Sequence, residues 1–248
     1  MFAAFSAHSL DLAEIYGDEY FKGKVYQDYI QEEPVRAKLF REKLDTILKY
    51  LPGRGRILDV GCAAGFFLKI MEGEGYETQG VEISKYASSY ARNVLKLNIV
   101  EGGLLSARFP DGFFDVITMW DVLEHLPNPL EALAECDRIM KKSGILIVET
   151  LNVDTLTVRI LKQNWPLFKP PYHLFYFNRK TLKLMLSKSG FEIIRIIPIQ
   201  TYVKTLKGFR AFRYFRYPLL RKSLGKIFDD VILAVAVKTE HSIDLTNV

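Results

Sequence analysis

The chain has 248 residues, of which 49% are hydrophobic and 25% charged, with 34 Lys and Arg against 29 Asp and Glu and a net charge of +5. That length and balance fit one large globular domain with additions and exclude a disordered or collagen-like chain. Two cysteines, Cys62 and Cys136, exclude a disulfide framework and suit a reducing, cytoplasmic setting.

The N-terminus lacks a basic region before its apolar residues and turns acidic early, so no secretory leader is expected. The first 33 residues are polar and carry Tyr16, Tyr20, Tyr26 and Tyr29 close together. A helix is predicted from Pro34, a favoured first-turn residue, to the break at Pro52-Gly53. From there apolar runs and amphipathic stretches alternate. "RILDV" reads as a buried strand, "GFFLKIMEGEG" as a helix, "ETQGVEI" as a strand, and "SKYASSYARNVLKL" as a helix capped by Ser84. "NIVEG" and "FFDVITMW" follow as strands, "PLEALAECDRIMKKSG" as a helix ended by Gly144, and "ILIVET" as a fifth strand. Apolar runs separated by amphipathic helices mark a parallel sheet covered on both faces.

Beyond residue 150 the pattern loosens. A helix is predicted from Val153, then the loop "NWPLFKPPYHLFYF", a helix "RKTLKLMLSKSG", a strand "FEIIRIIPIQTYV", a helical insertion, and a last strand "DDVILAVAVKT". The expected fold is α/β, a doubly wound seven-stranded sheet with the last strand antiparallel and helices on both faces. The expected divisions are an N-terminal lid over 1–53, a cofactor-binding core over 54–200, an insertion over 201–228, and a final strand and tail over 229–248. "VILAVAV", the longest apolar run, is far too short to span a membrane.

The chemistry concentrates in "ILDVGCAAGFF". Ligands of such sheets bind beyond the carboxyl ends of the strands, where the strand order reverses. Gly61 can adopt backbone angles closed to other residues, Gly65 lets the next helix pack close, and that helix's N-terminus favours an anion. Glu82, about 20 residues on, ends the second strand, where an acid bonds ribose hydroxyls. Loop and acid together predict an adenosine-bearing ligand with an anionic group. Ala63 stands where a dinucleotide site would need its second glycine, which makes a dehydrogenase a distant alternative.

These residues resemble the class I S-adenosylmethionine-dependent methyltransferases of small molecules. The resemblance runs from about residue 20 to 200 through "ILDVGCAAGFF", "GVEIS", "FPDGFFDVITMWDVLEHLPNP", "GILIVETLN" and "YHLFYFNRKTLKLMLSKSGFEI". It implies S-adenosyl-L-methionine as cofactor, bordered by Gly61, Cys62, Ala63 and Gly65. Asp59 would support the loop, Glu82 would take the ribose, Ile83 and Leu104 would face the adenine, and Asp121 joins the same set. Gly103 stands where the family commonly carries an acid, leaving adenine to main-chain groups and packing. Tyr26 and Tyr29 are expected in a lid over the cofactor; the competing reading is a surface helix docking its aromatic face.

Methyl transfer demands positioning of the acceptor and, where necessary, removal of its proton. His173 is the candidate base, with Trp165, Phe168 and Tyr172 as an aromatic acceptor pocket; the alternative is a histidine that only bonds a loop carbonyl. Glu124 and His125 are further catalytic candidates. With Asp121 and His173 they offer a divalent-metal set that could acidify a hydroxyl, against a role in ordering the loop; no metal ligand is assigned. Asp115 is expected to order the turn into the fourth strand, and Cys62 to pack. Lys204 to Phe228 contains no acid but carries Lys204, Lys207, Arg210, Arg213, Arg216, Arg221, Lys222 and Lys226 among Phe209, Phe212 and Phe215. A cap over the acceptor, a peripheral membrane contact and a nucleic-acid surface compete there, in that order. The expected reaction is O-methylation of a small molecule, for which the cap would suit an acidic or phosphorylated acceptor. The alternatives are an RNA or lipid-linked acceptor and a non-catalytic cofactor-binding regulator.

Overall fold

The computed structural model describes residues 15–24, 26, 28–199 and 230–239. The insertion expected over 201–228 and the tail from 240 lie outside the described residues, and so do the three readings of the basic segment. The helices are α1 (Glu33–Ile47), α2 (Phe66–Gly73), α3 (Lys85–Asn93), α4 (Pro129–Ile139), α5 (Leu156–Leu161) and α6 (Arg179–Lys188). The strands are β1 (Arg56–Val60), β2 (Glu77–Glu82), β3 (Ile99–Glu101), β4 (Phe114–Trp120), β5 (Met140–Leu151), β6 (Phe191–Ile199) and β7 (Val231–Lys238). They form one seven-stranded sheet in the order β3-β2-β1-β4-β5-β7-β6, with β7 antiparallel to both its neighbours and the other pairings parallel.

Period-two alternation distributes the strands' apolar residues to two cores. Leu58, Ile117 and Leu146 pack with Leu133 and Cys136 of α4 and Leu182 of α6. Ile57, Val116 and Ile147 pack on the other face with Leu44 and Ile47 of α1 and Phe67 and Met71 of α2. Local chemistry sets the helix starts. Ser84 accepts from the Ala87 N–H, Asn128 caps α4 ahead of Pro129, and Asn178 with Thr181 forms a capping box on α6.

Three predicted boundaries move. The helix expected to reach Gly144 ends at Ile139, and Met140–Gly144 belong to β5, where Met140 pairs with Phe114. The Lys141 amine holds both oxygens of Asp115 at 2.7 and 2.8 Å, and Asp115 also accepts from the Arg56 N–H at 2.8 Å. One carboxylate therefore ties together the starts of β1 and β4 and the first turn of β5, which draws the lysine into the strand. α5 starts at Leu156, because Thr155 is its cap, and α3 ends at Asn93.

β1 sits between β2 and β4, so the strand order reverses there. Open α/β sheets bind ligands at this position.

Candidate active site

A cavity of about 700 Å³ opens over the carboxyl ends of β1, β2, β4 and β5. Ligand pockets run to about 300–1,000 Å³. The glycine loop forms its floor. Gly61 has φ +67°, and a Cβ there would lie 2.6 Å from Cγ2 of Val122, which also lines the cavity. The loop is tied down from beneath: the Gly61 and Cys62 N–H groups donate to the Val81 carbonyl, and the Ala63 N–H donates to Glu82 Oε2 at 2.8 Å. Glu82 Oε1 accepts from the Ser84 N–H, also at 2.8 Å, so one carboxylate joins the loop to the start of α3. Burial raises its pKa against the pull of these bonds.

Asp59 lies under the loop, fully buried, and accepts from Thr118 Oγ1 at 2.6 Å. Burial pushes its pKa up to about 8, a trend the Thr118 bond opposes and the nearby Glu82 reinforces. Cys62 packs toward Gly80, and burial with the carboxylates of Glu82 and Asp59 raises its thiol pKa, which leaves it a packing group. Ile83, Gly103 and Leu104 also line the cavity.

Gly65 departs from the expected set. It does not line the cavity; its φ is +80°, and a Cβ would lie 2.5 Å from Leu97 Cδ1 and 3.2 Å from Ala91 Cβ. Its bareness serves the close packing of α2 against α3 and the chain after it.

The expected histidines also line the cavity. His173 Nδ1 lies 2.7 Å from the Leu167 carbonyl and His125 Nδ1 lies 2.8 Å from the Tyr172 carbonyl. A carbonyl only accepts, so each ring holds its proton on Nδ1 and keeps Nε2 as its basic nitrogen. The two rings pack edge to face with centroids 4.8 Å apart. Burial, with lesser repulsion from His125, lowers His173 to about 3, and burial lowers His125 as well. Both are neutral imidazoles at physiological pH. Glu124 is completely buried; Oε2 accepts from Thr150 Oγ1 at 2.8 Å, while its main-chain carbonyl receives the N–H groups of Leu174 and Phe175. Burial and the nearby Asp121 raise its pKa well above the usual carboxylate range.

Of the expected aromatic acceptor pocket only Tyr172 lines the cavity. Trp165 turns into a separate cluster with Leu151, Leu167 and Tyr176, where its indole N–H donates to Asp230 at 3.0 Å. Phe168 stacks on Tyr176 and is half exposed. Among the described residues no group of three or more His, Cys, Asp or Glu side chains is arranged to hold a metal ion.

The N-terminal segment contributes to the cavity lining. Tyr26 and Tyr29 line it, and the Arg36 guanidinium sits 3.7 Å from the centre of the Tyr29 ring and 4.7 Å from that of Tyr26. Tyr16 adds a bond the sequence did not suggest: its hydroxyl lies 2.7 Å from His125 Nδ1 and donates to the Tyr172 carbonyl at 3.2 Å. Sequence reasoning also missed Lys43 of α1 and Glu149 of β5. Their side chains meet at 2.5 Å, with the Lys43 amine 5.1 Å from the centre of the Trp120 ring. Burial and the nearby Asp121 raise Glu149 to about 7, with Lys43 pulling the other way.

A glycine loop, a buried acid at the end of β2 and a cavity at the reversal of strand order are the arrangement anticipated for an adenosine-bearing ligand. Residues 31–196 match the family model described as "Methyltransferase domain". The chain belongs to this family. As a methyltransferase it shares its fold with a solved S-adenosylmethionine-dependent methyltransferase from Archaeoglobus fulgidus, at a TM-score of 0.63 and 24% identity over 85% of this chain and 99% of that one. The ubiquinone biosynthesis O-methyltransferase of Thiobacillus denitrificans is 36% identical over 107 residues, covering 39% of this chain and 44% of that protein. The protein of the same name from Vibrio campbellii is 31% identical over 132 residues, covering 49% and 52%. The chain thus spans about half the length of these relatives. The methyltransferase family and the seven-stranded sheet expected from the sequence both stand. No helix among the described residues is long and apolar enough to cross a membrane.

Proposed function

We propose that this methyltransferase transfers a methyl group to an oxygen of a small-molecule acceptor, with His173 as the base. The observation that carries the reading is one cavity lined by Gly61, Glu82, His125 and His173, with the two imidazole centroids 4.8 Å apart. The residues fit S-adenosylmethionine: the volume suffices, Gly61 offers bare main chain, and Glu82 supplies a buried carboxylate for a diol. On this reading Gly61, Cys62 and Ala63 border the amino-acid portion, with Asp59 holding the loop and Asp121 beside it. Ile83 and Leu104 enclose the base, and Tyr26 and Tyr29 cover the ligand. When bound, S-adenosylmethionine supplies an activated methyl group on a sulfonium.

The chain's own work is then positioning, exclusion of water and proton removal. His173 is held in one tautomer by the Leu167 carbonyl, so its Nε2 can accept the hydroxyl proton, while His125 is held by Tyr172 and Tyr16. Glu124, kept neutral by burial, orders the 172–175 loop through its main-chain carbonyl. Of the Lys and Arg side chains in the described lining, Arg36 pairs with Glu32 and Lys43 with Glu149, so an acidic or phosphorylated acceptor finds support in Lys169 and in the composition of 204–228, whereas Glu82, Asp121 and Glu149 face the same space. We therefore favour a neutral acceptor.

The test is incubation with methyl-labelled S-adenosylmethionine and pooled hydroxyl-bearing metabolites. Label recovered in a base-stable ether supports the reading. Label on nitrogen or carbon, or none anywhere with the folded protein, contradicts it.

A further inference from the structure

Four buried side-chain atoms among the described residues find no hydrogen-bond partner in the protein: Arg36 Nε, Trp120 Nε1, Glu124 Oε1 and Glu149 Oε2. All four residues line the one cavity. Buried polar groups are almost always paired, so unpaired ones in a cavity wall point to a ligand that completes them.

Trp120 and Glu149 belong together. They are register partners at the adjoining ends of β4 and β5, and their side chains lie on the α1 face of the sheet. Lys43 fixes the pair: its amine bonds Glu149 Oε1 at 2.5 Å and sits 5.1 Å from the indole centre, in a side chain only 15% exposed. Glu149 is thereby held with its second oxygen unpartnered, beside an unpartnered indole N–H. One buried donor and one buried acceptor thus belong to register-paired residues, on strands further along the sheet than the β1 and β2 ends that carry the glycine loop and Glu82.

The chemistry of this pair is selective. A group that both donates and accepts, such as a hydroxyl or a carboxamide, completes both atoms at once. Once Glu149 is ionised, above about pH 7, a carboxylate or phosphate offers it no proton and meets its charge and that of Asp121. An ammonium competes with Lys43 for the same carboxylate and leaves the indole N–H unpaired. A desolvated site of this kind discriminates strongly, because the wrong ligand leaves its buried groups unsatisfied.

We propose that Trp120, Glu149 and Lys43 form an acceptor-binding subsite that takes a neutral hydroxyl or carboxamide group and turns away anions. This rests on the methyltransferase reading above and deepens it by naming the acceptor's anchoring group.

The experiment uses the full chain saturated with S-adenosylhomocysteine, the saturation first verified by calorimetry. Phenol, benzamide and benzoate, which share one ring and differ in one substituent, are then titrated by ligand-observed NMR at about pH 8.5, where Glu149 is ionised. Phenol and benzamide should bind at least about tenfold more tightly than benzoate, the worth of one hydrogen bond to a charged group. E149Q keeps the shape but removes the charge, and should shrink that preference to less than about threefold. W120F should weaken phenol by about three- to tenfold. In both variants the affinity for S-adenosylhomocysteine should stay within about threefold of the unaltered protein, which also certifies the fold. Benzoate binding as tightly as phenol, an unchanged ranking in E149Q, or no binding of any probe overturns the subsite. Loss of S-adenosylhomocysteine affinity in step with the probes assigns these residues to the cofactor and overturns it too. Failure of the unaltered protein to bind S-adenosylhomocysteine at all is a different result, and it overturns the methyltransferase reading beneath.

Discussion

Substituting alanine at Gly61 and at Gly65 applies nearly the same physical insult at two places four residues apart. Both glycines have positive φ, +67° and +80°, and in both a Cβ would press on the end of one aliphatic side chain, Val122 at 2.6 Å or Leu97 at 2.5 Å. Holding alanine in the left-handed region costs about 1–2 kcal/mol. Pushing the neighbour off its rotamer adds about 0.5–1.5 kcal/mol. The stiffer unfolded chain returns about 0.4–1 kcal/mol. Each variant should therefore lose about 0.5–3 kcal/mol, which in a chain of this size lowers Tm by about 1–12 °C. Function should separate them. Only Gly61 and its neighbour Val122 line the cavity, so Gly61→Ala should weaken S-adenosylhomocysteine by at least about tenfold, the effect of 1.4 kcal/mol of crowding. Gly65→Ala should bind it within about threefold of the parent. Urea unfolding and calorimetric titration measure the two quantities independently. Equal loss of affinity in both variants would refute the assignment of Gly61 to binding and Gly65 to packing.

Glu82→Gln should reduce S-adenosylhomocysteine affinity by about 10- to 100-fold in the same titration, because one oxygen is replaced by a group that cannot accept from a main-chain N–H or a diol. His173→Ala should lower kcat by about 10²- to 10⁴-fold while leaving S-adenosylhomocysteine affinity intact, and unchanged turnover would remove it as the base. Asp59→Asn tests the buried acid through pH. Its folded pKa of about 8 lies above the ordinary carboxylate value, so its favourable contribution is complete below about pH 4 and is lost as pH rises to about 8. Stability of the parent, read from urea midpoints, should therefore fall across that window relative to the asparagine variant, and parallel curves would contradict the burial argument. Tyr16→Phe removes the hydroxyl that joins the N-terminal segment to His125 and Tyr172, at a cost of about 1 kcal/mol. Limited proteolysis should then cut residues 15–30 faster, with the rate in the parent slowed by S-adenosylhomocysteine.

Most of the fold was legible because strands buried on both faces must be apolar throughout. "RILDV", "FFDVITMW", "ILIVET" and "VILAVAV" announce themselves, and Ser84 announces the helix after it. Gly61 and Glu82 were legible for a related reason: a bare turn and an acid are out of place at the ends of such strands. Interactions that cross the fold were harder to read. Lys141 looked like the polar end of a helix until Asp115, on another strand, drew it into β5. Trp165 looked like part of the acceptor pocket, and Asp230, distant in sequence, turned it elsewhere. Lys43 and Glu149 lie more than a hundred residues apart and resemble ordinary surface charges. One signal was present: Phe40, Lys43, Leu44 and Ile47 fall on a single helical stripe, and a lysine in an apolar stripe calls for a buried partner.

Calorimetric titration of S-adenosylhomocysteine into the folded full chain tests the account most directly. The arrangement of Gly61 and Glu82 around one cavity predicts saturable binding at one site per chain, sharply weakened in Gly61→Ala and in Glu82→Gln. A flat titration with the unaltered protein, or affinity indifferent to both substitutions, would contradict it.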